Sequence, residues 1–172
     1  VRHILTALKP LGPDYLKQLE TGLNPAKGWI DLYPSSDKSS GAFSTATYGV
    51  HPYVKMNFQN SFNDMSTLAH EYGHALHSHY AIQNQSYTAW RYSPFLAEIA
   101  STCNEALLSR YMIDNAASDK EKAWLLSELL ETIRTTIYRQ TLFAEFELKL
   151  HQLAEKGEPV TASKLNDMYA GL

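Results

Sequence analysis

A mostly α (α+β) fold is predicted for this chain, with a small edge sheet of about three strands and one very long helix. Two patterns predict it. Three short extended segments lie within the first 60 residues, and from Ser61 onward apolar residues recur at three- and four-residue spacing almost to the end. The 172 residues, 44% of them apolar, suffice for one compact domain rather than two. We therefore expect a single domain over residues 1–172. Residues 1–60 form its short helix and small sheet, and residues 61–172 its helical part.

The elements follow in chain order. Pro10-Leu11-Gly12-Pro13-Asp14 is a turn that opens a short helix over residues 15–20, with Leu16 and Leu19 on one side. Residues 28–33 alternate and carry aromatic and β-branched side chains, as a strand does. Residues 34–40 are a polar loop. Two further strands are expected over 42–48 and 53–58, and the first lacks a strong apolar face, which suits a sheet edge open to another backbone. Ser61 and Asp64 form a capping box for a helix reaching about Tyr80. After a loop over 83–93, Pro94 starts a helix over 95–114 whose Phe95, Leu96, Ile99, Leu107 and Leu108 are expected in the core. A second capping box, Ser118 to Glu121, begins the long helix. Leu126, Leu129, Leu130, Ile133, Ile137, Phe143, Phe146, Leu150 and Leu153 keep its period until Gly157 and Pro159. Its length would be roughly 50–55 Å. A last amphipathic stretch, from Ser163 through Met168 and Tyr169, runs into the chain end. Together with the opening on Val1, it reads as part of a longer polypeptide.

Composition excludes several classes. The net charge of −3 provides no electrostatic footprint for nucleic acid or anionic lipid. No apolar run approaches the roughly 18 residues of a membrane span. The lone Cys103 rules out an internal disulfide framework and fits a reducing compartment; on a helix expected to be mostly buried, it reads as an inert small apolar residue.

Chemistry concentrates in His70-Glu71-Tyr72-Gly73-His74. Residues four apart on a helix are offset by about 40° and about 6 Å, so both imidazoles can converge on one ion at zinc–nitrogen distances. Glu71, on the neighbouring edge, is placed to move a proton rather than to ligate. Gly73 is a poor helix former, which points to close approach by another element. The next helix carries Glu98 and Glu105 on one face, two turns apart. Two such carboxylates would ordinarily be a solvent face, but they directly follow the two-histidine helix. Glu98 is therefore assigned as third ligand and Glu105 as the acceptor that orients a ligand imidazole through its other nitrogen. His77 lies too far along the axis from His70 to share the ion and is read as a packing or outer-sphere residue. His3, His79 and His151 have no visible partner and are read as surface or core residues.

The segment 70–77, Phe95 to Thr102 with Asn104-Glu105, Gly41 to Ser44, Tyr48 to Val54, and Tyr138 to Glu147 together resemble the oligoendopeptidase F group of thimet-oligopeptidase-like zinc metallopeptidases. The resemblance runs from about Gly28 onward. It implies a zincin-like helical catalytic core whose small sheet lines a deep channel. It implies one Zn²⁺ per chain held by His70, His74 and Glu98, with Glu71 as general base and acid. It also implies short unstructured peptides as substrates, bound along the strand at Ala42, Phe43 and Ser44 with His51 nearby, and a cytoplasmic setting. His51 and Tyr48 are candidates to approach the site from the strand region. Members of that group have a large helical region before this part and a segment after it that supplies tyrosine and histidine side chains for the oxyanion. Three functions are therefore open: a zinc-dependent oligopeptide endopeptidase, a zinc- and peptide-binding segment that does not turn over, or a helical interaction module whose motif is coincidental.

Overall fold

The computed structural model describes all residues, 1–172, and separates into two compact units, Val1–Ala116 and Ala117–Leu172. No helix is long and apolar enough to cross a membrane.

In the first unit, α1 (Arg2–Ala7) and α2 (Pro13–Leu23) precede a three-stranded sheet of β1 (Ile30–Asp31), β2 (Phe43–Thr45) and β3 (Tyr53–Lys55). The α1 turn was not foreseen; Ile4, Ala7 and Leu8 at helical spacing bury themselves in the core before Pro10 interrupts. The short helix runs longer than expected, because Pro13 sits in its first turn and the apolar side extends to Leu23. The strand order is β1-β3-β2, with β1 parallel and β2 antiparallel to the central β3, so β2 is an edge as its composition predicted. All three strands are shorter than expected. Extended backbone nonetheless continues beyond the ladder, with Phe58 N donating to Leu32 O at 3.0 Å.

Helix α3 (Phe62–Asn84) starts at the expected capping box. Ser61 Oγ accepts from Asp64 N, and the Asp64 carboxylate accepts from Ser61 N at 2.9 Å. Helix α4 (Pro94–Asp114) begins with Pro94 in its first turn. The core gathers Ile4, Leu8, Leu19, Val54, Met56, Leu68, Tyr72, Leu76 and Leu108. Two expectations for α4 are corrected here. Phe95, Leu96 and Ile99 are 85%, 44% and 59% exposed, and Cys103 is exposed too. The face α4 turns inward is small and polar, Ser101 and Asn104, because it packs too closely on α3 to admit large side chains.

The second unit is a helical rod and a short partner. Helix α5 (Asp119–Ile133), a π segment (Arg134–Tyr138) and α6 (Arg139–Glu155) follow without a break, then α7 (Ala162–Ala170). Ser118 caps α5 through Glu121 N, but the Glu121 carboxylate bonds Ala117 N, one residue short of a closed capping box. The long helix is thus present but interrupted. Thr132 and Thr135 hydroxyls donate back to the carbonyls of Glu128 and Glu131 at the break, a pattern that loosens the regular ladder. Tyr169 packs α7 against the rings of Phe143 and Phe146. Leu126, Leu129, Leu130, Ile133 and Ile137 remain exposed.

Candidate metal centre

Gly73 determines how near the two central helices lie. A Cβ built there would stand 2.4 Å from Ser101 Cα and 2.7 Å from the Ala100 carbonyl oxygen, so only glycine permits this approach. The close element that its poor helix propensity pointed to is therefore α4. At the same crossing, Asn104 Nδ2 donates to Ala69 O at 2.9 Å, and Tyr15 Oη donates to Asn104 Oδ1 at 2.9 Å. One amide thereby ties α2, α3 and α4 beside His70. Burial pushes the Tyr15 pKa up to about 12, which keeps the phenol protonated as donor. Asn104 was not singled out from the sequence as part of the site, although an asparagine in mid-helix calls for a partner because it is a poor helix former.

This crossing brings three side chains to one point. His70 Nε2 and His74 Nε2 are 3.0 Å apart, and Glu98 Oε2 lies 3.4 Å from the first and 3.6 Å from the second. The three candidate ligand atoms all fall within 4.8 Å of one another. The Glu98 carboxylate is steadied by Ser101 Oγ, which donates to Oε2 at 2.8 Å. Glu105 stands where an orienting acceptor would, its Oε2 at 3.2 Å from His70 Nδ1. The Ala97 backbone favours the charged form of the His74 ring. The acceptor at Nδ1 holds the His70 ring proton there and leaves its Nε2 lone pair facing His74 and Glu98. Two lone pairs and a carboxylate oxygen so close together repel unless a cation lies between them. The donor set therefore fits a divalent ion, and two imidazoles with a carboxylate suit zinc.

The electrostatics agree with that crowding. Burial opposes the charged form of His70, but the hydrogen-bonded Glu105 carboxylate outweighs it and raises the pKa above the ordinary value. Burial, with the neighbouring His70, lowers that of His74. Glu71 is 6% exposed, and burial lifts its carboxyl above the usual range against the pull of His70. The Ser44 backbone N–H, hydrogen-bonded to that carboxylate, also works against the rise.

Other expected residues lie in varied places. Ala42 lines a cavity of about 450 Å³ with Ser40, Asn57, Asn63 and Thr67, one helical turn before Glu71. Phe43 is half exposed, with the Lys55 ammonium 5.6 Å from its ring centre. His77 stacks on Tyr92 with centroids 3.7 Å apart, and its Nδ1 is buried without a hydrogen-bond partner. That is a packing role. His51 stacks on Trp29 and borders His79 and Gln83, more than two turns along α3 from Glu71, and Tyr48 donates to Gln85 O. The loop carrying them packs against the C-terminal half of α3.

Comparison with known proteins gives a consistent assignment. The family model described as Peptidase family M3 matches residues 11–172. Oligopeptidase PepF of Bacillus subtilis (strain 168) is 43% identical over 170 residues, which are 99% of this chain and 25% of that protein. An oligoendopeptidase F homolog of Borreliella burgdorferi is 39% identical over 98% of this chain and 29% of its own length. The chain thus spans 24–29% of the length of these curated relatives. Among solved structures, one from Chlamydophila abortus superposes with a TM-score of 0.80 at 41% identity, over 99% of this chain and 30% of that one. Another, from Bacillus anthracis str. Ames, shares the fold at 17% identity with a TM-score of 0.74.

Proposed function

The chain belongs to peptidase family M3, and on that premise we propose that it is the zinc-binding catalytic core of a metalloendopeptidase that hydrolyses short, unstructured peptides. The observation that supports this most directly is the convergence of His70 Nε2, His74 Nε2 and Glu98 Oε2 beside the buried carboxylate of Glu71. His70, His74 and Glu98 would hold one zinc ion, which supplies Lewis acidity toward water and the peptide carbonyl. Glu105, at the outer nitrogen of His70, keeps that ring turned inward. Glu71 accepts the proton of the attacking water at a carboxylate oxygen and returns it to the leaving amine nitrogen; burial, which raises its pKa, strengthens it as a base. The open edge of β2 offers backbone groups to an extended peptide, and the cavity beside Ala42 has room for one of its side chains. A cytoplasmic setting belongs to the same reading.

Zinc analysis and a quenched-fluorescence peptide assay test the reading together. The purified protein is expected to hold one zinc per chain, lost in His70→Ala and Glu98→Ala. Glu71→Gln is expected to keep the metal and lose cleavage; normal cleavage by that variant would overturn the mechanism. The partial span of the relatives favours a second reading for the isolated chain, in which it binds zinc and peptide without turnover. Unchanged peptide affinity with no product would identify that state.

A further inference from the structure

Helix α4 delivers Glu98 from a stretch that burial does not hold. Phe95, Leu96 and Ile99 around it are exposed, and the Glu98 side chain is itself 58% exposed. Apolar packing therefore does little to fix the first turns of α4. The tight crossing with α3 lies at Ala100 and Ser101, against Gly73, and at Asn104, which donates to Ala69 O. These residues are all on the C-terminal side of Glu98. A rod secured on one side only pivots about that point, and its free end moves most.

The connection into α4 supplies a second anchor. Tyr92, two residues before Pro94, lays its ring on that of His77, with centroids 3.7 Å apart and planes 6° from parallel. Its hydroxyl pairs with Ser78 Oγ at 2.7 Å and donates, at 3.5 Å, to His74 O. All three partners are on α3, and one of them is the backbone of a candidate metal ligand. Ser93 O then accepts from Leu96 N and Ala97 N at 3.0 and 3.1 Å, so helical backbone begins directly after the anchored ring. Glu98 lies between the two anchors.

We propose that Tyr92 is a positioning residue for the metal centre. By pinning the entry of α4 to His77, Ser78 and the His74 carbonyl, it sets how far Glu98 stands from His70 and His74. This rests on the metal-binding reading above and adds to it the group that fixes the distance of the third ligand. Ser101 Oγ, at 2.8 Å, restrains the Glu98 carboxylate but not the backbone from which that side chain extends. His77 thereby gains a part in the site without reaching the ion: its ring is the platform on which Tyr92 rests.

Zinc affinity of the purified protein, read by chelator competition, tests this without reference to turnover. Tyr92→Leu removes both the stack and the hydroxyl, and affinity is expected to fall about 10- to 100-fold. Tyr92→Phe keeps the ring on His77 and should bind about 3- to 10-fold more weakly than the parent. Ser78→Ala cuts the same hydrogen bond from the α3 side; it should match Tyr92→Phe, and the double variant should be no weaker than either alone. The deciding comparison is with Glu98→Ala, whose residual affinity rests on two imidazoles. In that background Tyr92→Leu should cost less than about twofold, because no third ligand remains to be misplaced. An equal loss in both backgrounds would mean a general loosening of the chain and would overturn the proposal. Parental affinity in Tyr92→Phe and Ser78→Ala would overturn it as well, whether or not the leucine variant folds. If Glu98→Ala loses zinc while the Tyr92 variants bind like the parent, only this inference fails; if Glu98→Ala binds like the parent, the metal-binding reading itself fails.

Discussion

Helix α3 buries eight of its residues, including Leu68, Tyr72 and Leu76, whereas α5 buries only Leu125 and α6 buries none fully. Both regions carry apolar side chains at helical spacing. The difference lies in what each meets within its own unit. Helix α3 is covered by α2, α4 and the sheet, so its apolar residues leave water. In the second unit α7 covers only part of α6, through Tyr169. Periodicity therefore reports which face of a helix is apolar, and only packing decides whether that face stabilises anything.

Substitutions that probe this contrast rank by how much packed structure they disturb. Gly73→Val should be the most damaging, since even a Cβ stands 2.4 Å from Ser101 Cα. A loss of about 3 kcal/mol or more in urea unfolding is expected, together with loss of zinc, because α4 must retreat and take Glu98 with it. Retention of zinc by that variant would show that the helices separate without breaking the cluster. Glu105→Ala leaves the ligands in place but frees the His70 ring, and zinc affinity should fall roughly 10- to 100-fold in a chelator competition. Tyr72→Phe deletes the hydrogen bond from Tyr72 Oη to Gly22 O at 2.6 Å, leaving a buried carbonyl unpaired; about 1–2 kcal/mol should be lost.

Asp64→Ala removes half of the α3 capping box, at about 0.5–1 kcal/mol near neutral pH. The hydrogen bonds from Ser61 hold the Asp64 pKa below its ordinary value. Its contribution is therefore complete above the ordinary carboxylate pKa and disappears as pH falls through the lower folded value, where parent and variant stabilities should meet. At the other end of the scale, Leu130→Gln changes a residue that is 67% exposed and should shift stability by no more than about 0.5 kcal/mol. A large loss there would mean that the rod is held by contacts its exposure conceals.

How legible each feature was depends on the range of the interaction behind it. The Ser61–Asp64 cap, the Pro94 start and the edge character of β2 are local, and each stood in the sequence. The pairing of His70 with His74 follows from helix geometry alone, and Gly73 announced a close neighbour without naming it. What stayed hidden was set by tertiary fit. The burial of Phe95, Leu96 and Ile99 was expected from their hydrophobicity, yet the tight crossing at Gly73 turned the small Ser101 and Asn104 inward. Cys103 was misjudged for the same reason. His51 and Tyr48 could not be placed, because the loop that carries them is positioned by Trp29 and by the far end of α3.

The five residues of the π segment also change what the rod can present to its surroundings. Wider turns advance each residue by less rotation than α-helical ones, so five of them set the second half back by roughly a quarter turn about the common axis. Side chains beyond Tyr138 therefore face directions that the spacing of an unbroken α-helix would not assign to them.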